Sequence, residues 1–319
     1  MRLLLHRLSL LTAIMLPVSG CTAPADIHDT RFMMGTLVEF TVTGIPRETA
    51  ERAITDAAAE MQRVEDAFTI YGNVSNTVKA FNASPPNTAI TLPDEVSDLL
   101  ELSLQIQKQS QGAFDPALGG ENLLWGFSTD SPPVTPPAAG AIDKAMAPAD
   151  CVRHVSSQWL RSDRRCLLDF GGIAKGYAID RGIAVLKAHH IENAIINAGG
   201  DIRLIGRHGN RPWKIGIRHP RKAGEVLLSL SMEGDKSIVT SGDYERFFTY
   251  NGKRYHHILD PKSGQPAMYS QSATVIAPSA TLADAWSTAL FIAPVSPLPQ
   301  SLQLIRVDAS GKVYRSATP

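Results

Sequence analysis

CLLDFGGIAKGYAIDRGIAVLKAHHIENAIINAGGDIRLIGR, residues 166–207, sets apolar runs and a helical period side by side, with two Gly-Gly pairs between them. CLLDF reads as a strand and AKGYAIDRGIAVLKAHH as a helix, and AIINA and DIRLIGR read as two more strands joined by Gly199-Gly200. Outward toward the C-terminus, WKIGIRH and VLLSLSM continue in strands, a hairpin forms near YNGKRYHHILD, and SATVIA is a further strand. LADAWSTALF, 282–291, is a helix, and QLIRV with KVYRS make a terminal strand pair. Toward the N-terminus, Leu37, Val38, Phe40 and Val42 mark a strand stopped by Gly-Ile-Pro. ETAERAITDAAAEMQRVEDAF, 48–68, then places Ala50, Ile54, Ala57, Met61, Val64 and Phe68 at steps of four and three, the period of a one-faced helix. Val96, Leu99, Leu102 and Ile106 mark a second helix over 94–110. Helices at both ends of a β-rich middle predict an α+β fold: a single large domain of mostly antiparallel sheet flanked by helices. Residues 128–149 carry five prolines among small and polar residues and read as a surface insertion at about 128–149, not a domain boundary.

The 319 residues are 44% hydrophobic and 19% charged, enough apolar material for a core. Lys plus Arg (31) balances Asp plus Glu (31), and no basic stripe stands out, so nucleic acid is set aside as a partner. The first residues have the form of an export signal, with Arg2 and Arg7, an apolar run from Leu8 to Val18, and then small residues. Val18-Ser19-Gly20-Cys21 resembles a bacterial lipobox, which makes residues 1–20 a lipoprotein signal peptide and Cys21 the lipidated residue; a plain secretory signal is the alternative. Cys151 and Cys166 would then remain in an oxidising compartment, either bridged or as two buried thiols.

Asp284 and Thr288 stand one helical turn apart, so their oxygens converge on one side. Hard oxygen donors without histidine or thiolate suit Mg²⁺; the plainer alternative is a carboxylate at a helix N-terminus and a hydroxyl bonded back to a carbonyl. In LLDFGGIAKGYAID, Gly171 and Gly172 allow close backbone approach, and Lys175 sits in the first turn of a helix whose free N–H groups favour an anion. A turn whose glycines only relieve strain is equally compatible. His256 and His257 adjoin in a strand, so at most one faces any given site. Phe114-Asp115-Pro116 either offers a carboxylate to a ligand or forms a helix cap and turn.

MMGT (33–36), FTIY (68–71), GAFDPALGG (112–120), LDFGGIAKGYAID (168–180), NAGGDIRLIG (197–206), SGDYERFF (241–248), HHILDPKSGQPA (256–267) and ATVIAPSATLADAWSTALF (273–291), in this order, resemble the ApbE family of flavin transferases. The resemblance covers nearly the whole mature chain and implies an ApbE-like, T-fold-related domain over 21–319. It implies Mg²⁺-dependent cleavage of FAD and attachment of FMN through a phosphoester to a threonine of a target protein, with AMP released. The implied metal donors are Asp284, Thr288 and the carbonyl of Ala174. The implied flavin contacts are Met34, Tyr71, Ala113, Phe114, Asp115, Gly171, Tyr177, His257 and Leu259. Lys175 is implied to meet the diphosphate, and His257 to take the threonine proton, with Asp284 the alternative. A tyrosine at 71 resembles the transferase type, and Ser287, where an acidic residue often stands, is expected to soften metal affinity. The implied partner is a membrane redox-complex subunit displaying its threonine in an Asp…Ser/Thr-Ala-Thr type segment, met on the periplasmic side of a bacterial membrane. Two other functions share these residues: a Mg²⁺-dependent FAD pyrophosphatase giving FMN and AMP, and a non-catalytic flavin-binding lipoprotein.

Overall fold

A computed structural model describes residues 26–129 and 131–316, so the signal segment and Cys21 lie outside the described residues. Strands β1 (Ile27–Met33) and β2 (Thr36–Val42) turn through Met34 and Gly35, both at positive φ. That two-residue turn matches the twist of the strands, and Met34 occupies a conformation that glycine adopts more easily. Helices α1 (Arg47–Phe68), α2 (Thr77–Ala83), α3 (Asp94–Gln109), α4 (Gly119–Trp125) and α5 (Ala139–Ala145) follow. A small hairpin, β3 (Val152–Val155) and β4 (Gln158–Arg161), precedes α6 (Ala174–Ala188). Then come β5 (Ala194–Ala198), β6 (Asp201–Ile205), β7 (Trp213–Arg218), β8 (Val226–Met232), β9 (Lys236–Gly242), β10 (Phe247–Tyr250) and β11 (Lys253–His256). Short β12 (Leu259–Asp260) and β13 (Gln265–Pro266) lead to β14 (Ser270–Ala277), α7 (Ala280–Ile292), β15 (Gln303–Asp308) and β16 (Val313–Arg315).

Eight strands form one sheet in the order β1-β2-β5-β6-β9-β14-β15-β16, every pairing antiparallel. The predicted α+β domain is the observed one. Alternation along β2 turns Val38, Phe40 and Val42 into the main core and leaves Leu37 and Glu39 exposed on the opposite face. All six residues of the predicted α1 stripe are buried in that core, beside α6 and α7. Truncating one of them, such as Met61→Ala, costs about 2–5 kcal/mol. The other face of the sheet is partly covered by a ribbon of β7 and β8, whose Trp213, Ile215 and Ile217 pack on Ile202, Leu204 and Ile238.

The structure corrects three readings of the sequence. WKIGIRH and VLLSLSM are strands, but they pair only with each other among the described residues and cover the sheet without joining it. CLLDF is extended without being a strand, because its polar backbone groups are taken by other partners. Asn82 bonds both the N–H and the carbonyl of Leu168, at 2.7 and 2.8 Å, while Gly119 N–H donates to Leu167 O and Asp169 N–H to Pro116 O. The proline-rich insertion is anchored as well as exposed: Ile142 of α5 is buried against Trp125, Phe127 and Leu259. Of the two states left open for Cys151 and Cys166, the structure shows the disulfide.

Candidate active site

The site is built where α6 and α7 begin. Asp180 of α6 accepts from the N–H groups of Ala280 and Thr281 at 2.8 and 2.9 Å, satisfying two of the donors that a helix start leaves free. Ser279 caps the same end through Leu282 N–H. One turn on, Asp284 is 4% exposed, and its Oδ2 accepts from Gly176 N–H in the first turn of α6 at 2.8 Å. The carboxylate therefore does lie at a helix N-terminus, but at that of α6 and not its own. The two helices meet this closely because Gly176 has no side chain: a Cβ there would lie 2.8 Å from Asp284 Cβ and collide with the carbonyl of Ala280. Thr288, a turn beyond Asp284, has its Oγ1 3.4 Å from Ser241 Oγ of β9. The same hydroxyl is 3.5 Å from where a Cβ of Gly172 would stand, so Thr288 faces the Gly-Gly turn. Ser287 turns to β9, its Oγ 2.8 Å from Ser241 Oγ and donating to Asp284 O at 2.9 Å.

Lys175 reaches the end of the sheet and forms an ion pair with Asp201, the residue after Gly199-Gly200. Burial works against the lysine charge, but Asp201 and Asp284 outweigh it and raise its pKa, so Lys175 is a cation at neutral pH. Burial and then the repulsion of Asp201 push the Asp284 carboxyl up to about 7, although Lys175 and Gly176 N–H oppose them. Two carboxylates share one ammonium here, and the pocket is short of positive charge.

The Gly-Gly turn is held by Asp169, whose Oδ1 accepts from Gly171 N–H at 2.8 Å. Its Oδ2 accepts from Asn122 Nδ2 at 2.7 Å and from the Tyr71 hydroxyl at 3.4 Å, and burial together with Asp169 raises the Tyr71 pKa. Lys79 Nζ donates to the carbonyls of Tyr71, Gly72 and Val74, fixing the loop that carries Tyr71. Phe114 is buried against Gly172, with a ring carbon 3.2 Å from where its Cβ would stand. Ala113 is buried beside it, while Asp115 Oδ1 accepts from Ala117 N–H at 2.8 Å, so the cap-and-turn reading of this segment holds as well. Met34 N–H donates to Glu65 Oε2 of α1 at 2.8 Å.

The adjacent histidines meet different surroundings, since β11 ends at His256 and His257 lies in the bend beyond it. His256 is buried, its Nε2 2.8 Å from Ala267 O and its ring edge-on to Phe291. His257 is half-buried, with its Nδ1 shut from solvent and without a hydrogen-bond partner. Desolvation, then the charges of Arg246 and Lys175 among others, hold His257 well below the ordinary histidine pKa, so the ring is neutral at pH 7. Two of the expected flavin contacts, Tyr177 and Leu259, have protein partners of their own. Tyr177 packs edge-on against Phe68 and donates to Glu95 Oε1 at 2.9 Å, and Leu259 is buried with Trp125 and Ile142.

Asp169, Asp201, Asp180 and Ser241 escaped the sequence reading. Asp169 and Asp201 each adjoin a Gly-Gly pair, and a carboxylate next to such a turn is the signal that was available. Asp180 and Ser241 gave none, because their roles arise only when α6, α7 and β9 pack together.

The donor set fits a hard divalent cation. Among the described residues no three His, Cys, Asp or Glu side chains form a metal cage. The candidates here are one carboxylate, one hydroxyl and one backbone carbonyl beside a pocket short of positive charge, as suits an ion that keeps positions for water and phosphate oxygens.

The sequence profile of the ApbE family matches residues 34–309. The FAD:protein FMN transferase of Rhodobacter capsulatus is 31% identical over 309 residues, covering 93% of this chain and 58% of that longer protein. The FAD:protein FMN transferase of Klebsiella pneumoniae (strain 342) is 30% identical over 302 residues, covering 90% of this chain and 86% of that one. Among solved structures, the ApbE protein of Thermotoga maritima superposes with a TM-score of 0.82 at 33% identity, over 92% of this chain and 98% of that one. The apo flavinyl transferase ApbE of Pseudomonas stutzeri gives 0.79 at 28% identity, over 93% and 96%.

Proposed function

Since the chain belongs to the ApbE family, we propose that it works as an FAD:protein FMN transferase, moving FMN from FAD to a threonine hydroxyl of a target protein. The observation that carries this reading is the meeting of Asp284 with Gly176 at the start of α6, of Thr288 with Gly172 and of Lys175 with Asp201, with an unpartnered nitrogen on His257, whose pKa Lys175 helps to lower. Mg²⁺ would be held by Asp284, Thr288 and the carbonyl of Ala174, and when bound it supplies charge neutralisation at the diphosphate.

The side chains supply the rest. Lys175 draws the diphosphate oxygens by its charge, and the start of α6 points N–H groups toward them. Tyr71, Phe114 and the Met34 turn line the flavin end, where a ring stacked on the tyrosine limits the access of water. In the transfer, the threonine oxygen bonds to the phosphorus on the FMN side. The bond from that phosphorus to the bridging oxygen breaks, and AMP leaves with that oxygen. The threonine proton passes to the neutral ring of His257.

The enzyme is placed on the periplasmic side of a bacterial membrane, held by a lipid on Cys21. The export signal supports this, as does the Cys151–Cys166 bridge, which persists in oxidising compartments. Its partner there is a redox-complex subunit carrying the threonine.

The test is FAD turnover by the wild type and by Asp284→Ala, with Mg²⁺ and with chelator, followed by separation of AMP and FMN. Turnover should require Mg²⁺ and fall by at least about a hundredfold in the variant. Equal turnover by both proteins in chelator would remove the assignment.

A further inference from the structure

On the sheet face away from the helices, two cavities of about 510 and 330 Å³ run end to end, sharing Glu39, Asn197, Ile202, Ile215 and Gly216 as walls. Their floor is made of alternate residues of β2 and β5, the outward-facing Leu37, Glu39 and Thr41 with Ile195 and Asn197. The opposite wall is different in kind, because all six consecutive residues of β7 line it. A strand that presents only a face contributes every second residue, so an unbroken run means that β7 presents its edge. Among the described residues β7 pairs with β8 alone, so along that edge the backbone groups that point away from β8 have no strand partner. The trough is therefore strand-shaped, with room along β7 for about six residues of extended peptide.

One end of the trough adjoins the active site. It is lined there by Gly199 and Gly200, at φ 63° and 105°, and by Thr240, whose N–H donates to Asp201 Oδ1 at 3.2 Å. Asp201 is the partner of Lys175. A Cβ on Gly200 would meet nothing within 4 Å, so that exit is open. Resting on the transferase reading, we propose that the trough takes an extended segment of the acceptor polypeptide, paired along the free edge of β7, and leads its threonine past Gly199-Gly200 to the site.

Glu39 allows a clean test. It is exposed, faces outward from β2 and lines both cavities, so a larger side chain there fills the trough without entering the core. The probe is a synthetic peptide with a Ser-Ala-Thr segment and flanking residues, offered with FAD and Mg²⁺ to the wild type, Glu39→Gln and Glu39→Trp. The KM for peptide should stay near the wild-type value in Glu39→Gln and rise by at least about tenfold in Glu39→Trp. The KM for FAD and the melting temperature should stay at the wild-type values. A peptide N-methylated at alternate backbone amides, which keeps every side chain, should lose labelling by the unmodified enzyme. An unchanged KM for peptide in Glu39→Trp would overturn the proposal, and so would a raised KM for FAD, which would give the trough to the adenosine half of the substrate. A wild type that leaves FAD intact, or cleaves it without labelling any peptide, would overturn the transferase reading itself, and the proposal with it.

Discussion

At the scale of single residues, the site works through what each polar group lacks. His257 has a buried nitrogen with no partner, and desolvation holds its pKa well below the ordinary value, so the ring is unprotonated at neutral pH. His257→Gln keeps most of the volume but loses the basic nitrogen. Transfer to a threonine peptide should then fall by about 10²–10⁴-fold with the KM for FAD unchanged, measured from initial rates. A rate within twofold of wild type would give the proton to another group. Asp284 and Thr288 were legible in the sequence because four residues is one helical turn, and that spacing survives folding. The Lys175–Asp201 pair was not legible, because it joins the start of a helix to the end of a strand that only the folded sheet brings together.

At the scale of elements, the contact between α6 and α7 sets the geometry. Gly176 permits that contact, and Asp180 ties the start of α7 to α6 through two N–H groups and the Thr281 hydroxyl. Gly176→Ala adds a methyl group that the carbonyl of Ala280 and Asp284 Cβ leave no room for. The helices must part, costing about 1–3 kcal/mol of stability and moving Asp284 away from the Gly176 N–H. Thermal melting and Mg²⁺-dependent turnover should both drop. A variant as stable and active as the wild type would show that the helices can separate without consequence. Helix α1 was legible because its apolar stripe has a single period, and all six of its residues are buried. The place of β7 and β8 was not legible, because alternation marks a strand without saying which strand it pairs with. CLLDF was misread because an asparagine side chain can satisfy an extended backbone as well as a neighbouring strand does.

At the scale of the whole molecule, one antiparallel sheet separates two territories: the helices α1, α6 and α7 on one face, and the β7–β8 ribbon with its trough on the other. The α+β class was readable from the order of elements, whereas this division needed the folded sheet. Stability should carry the mark of His256, buried at the end of β11 and edge-on to Phe291 of α7. Burial lowers the His256 pKa, so below about pH 6.5 the unfolded chain takes up the proton first and acid favours unfolding; this part of the stability is lost as pH falls. Asp284 acts in the opposite sense, its raised pKa adding stability as pH falls through about 7, so the difference between two proteins is the useful readout. Between about pH 7 and about pH 5 the melting temperature of wild type should fall further than that of His256→Gln. Equal slopes would mean that His256 keeps the ordinary histidine pKa in the folded protein. Flavin transfer itself is read from the mass of a threonine peptide incubated with FAD, Mg²⁺ and a soluble form lacking residues 1–21. The peptide should gain the mass of FMN minus water with Mg²⁺ and keep its own mass without it. An unmodified peptide beside free FMN and AMP, or beside intact FAD, would rule out the transferase.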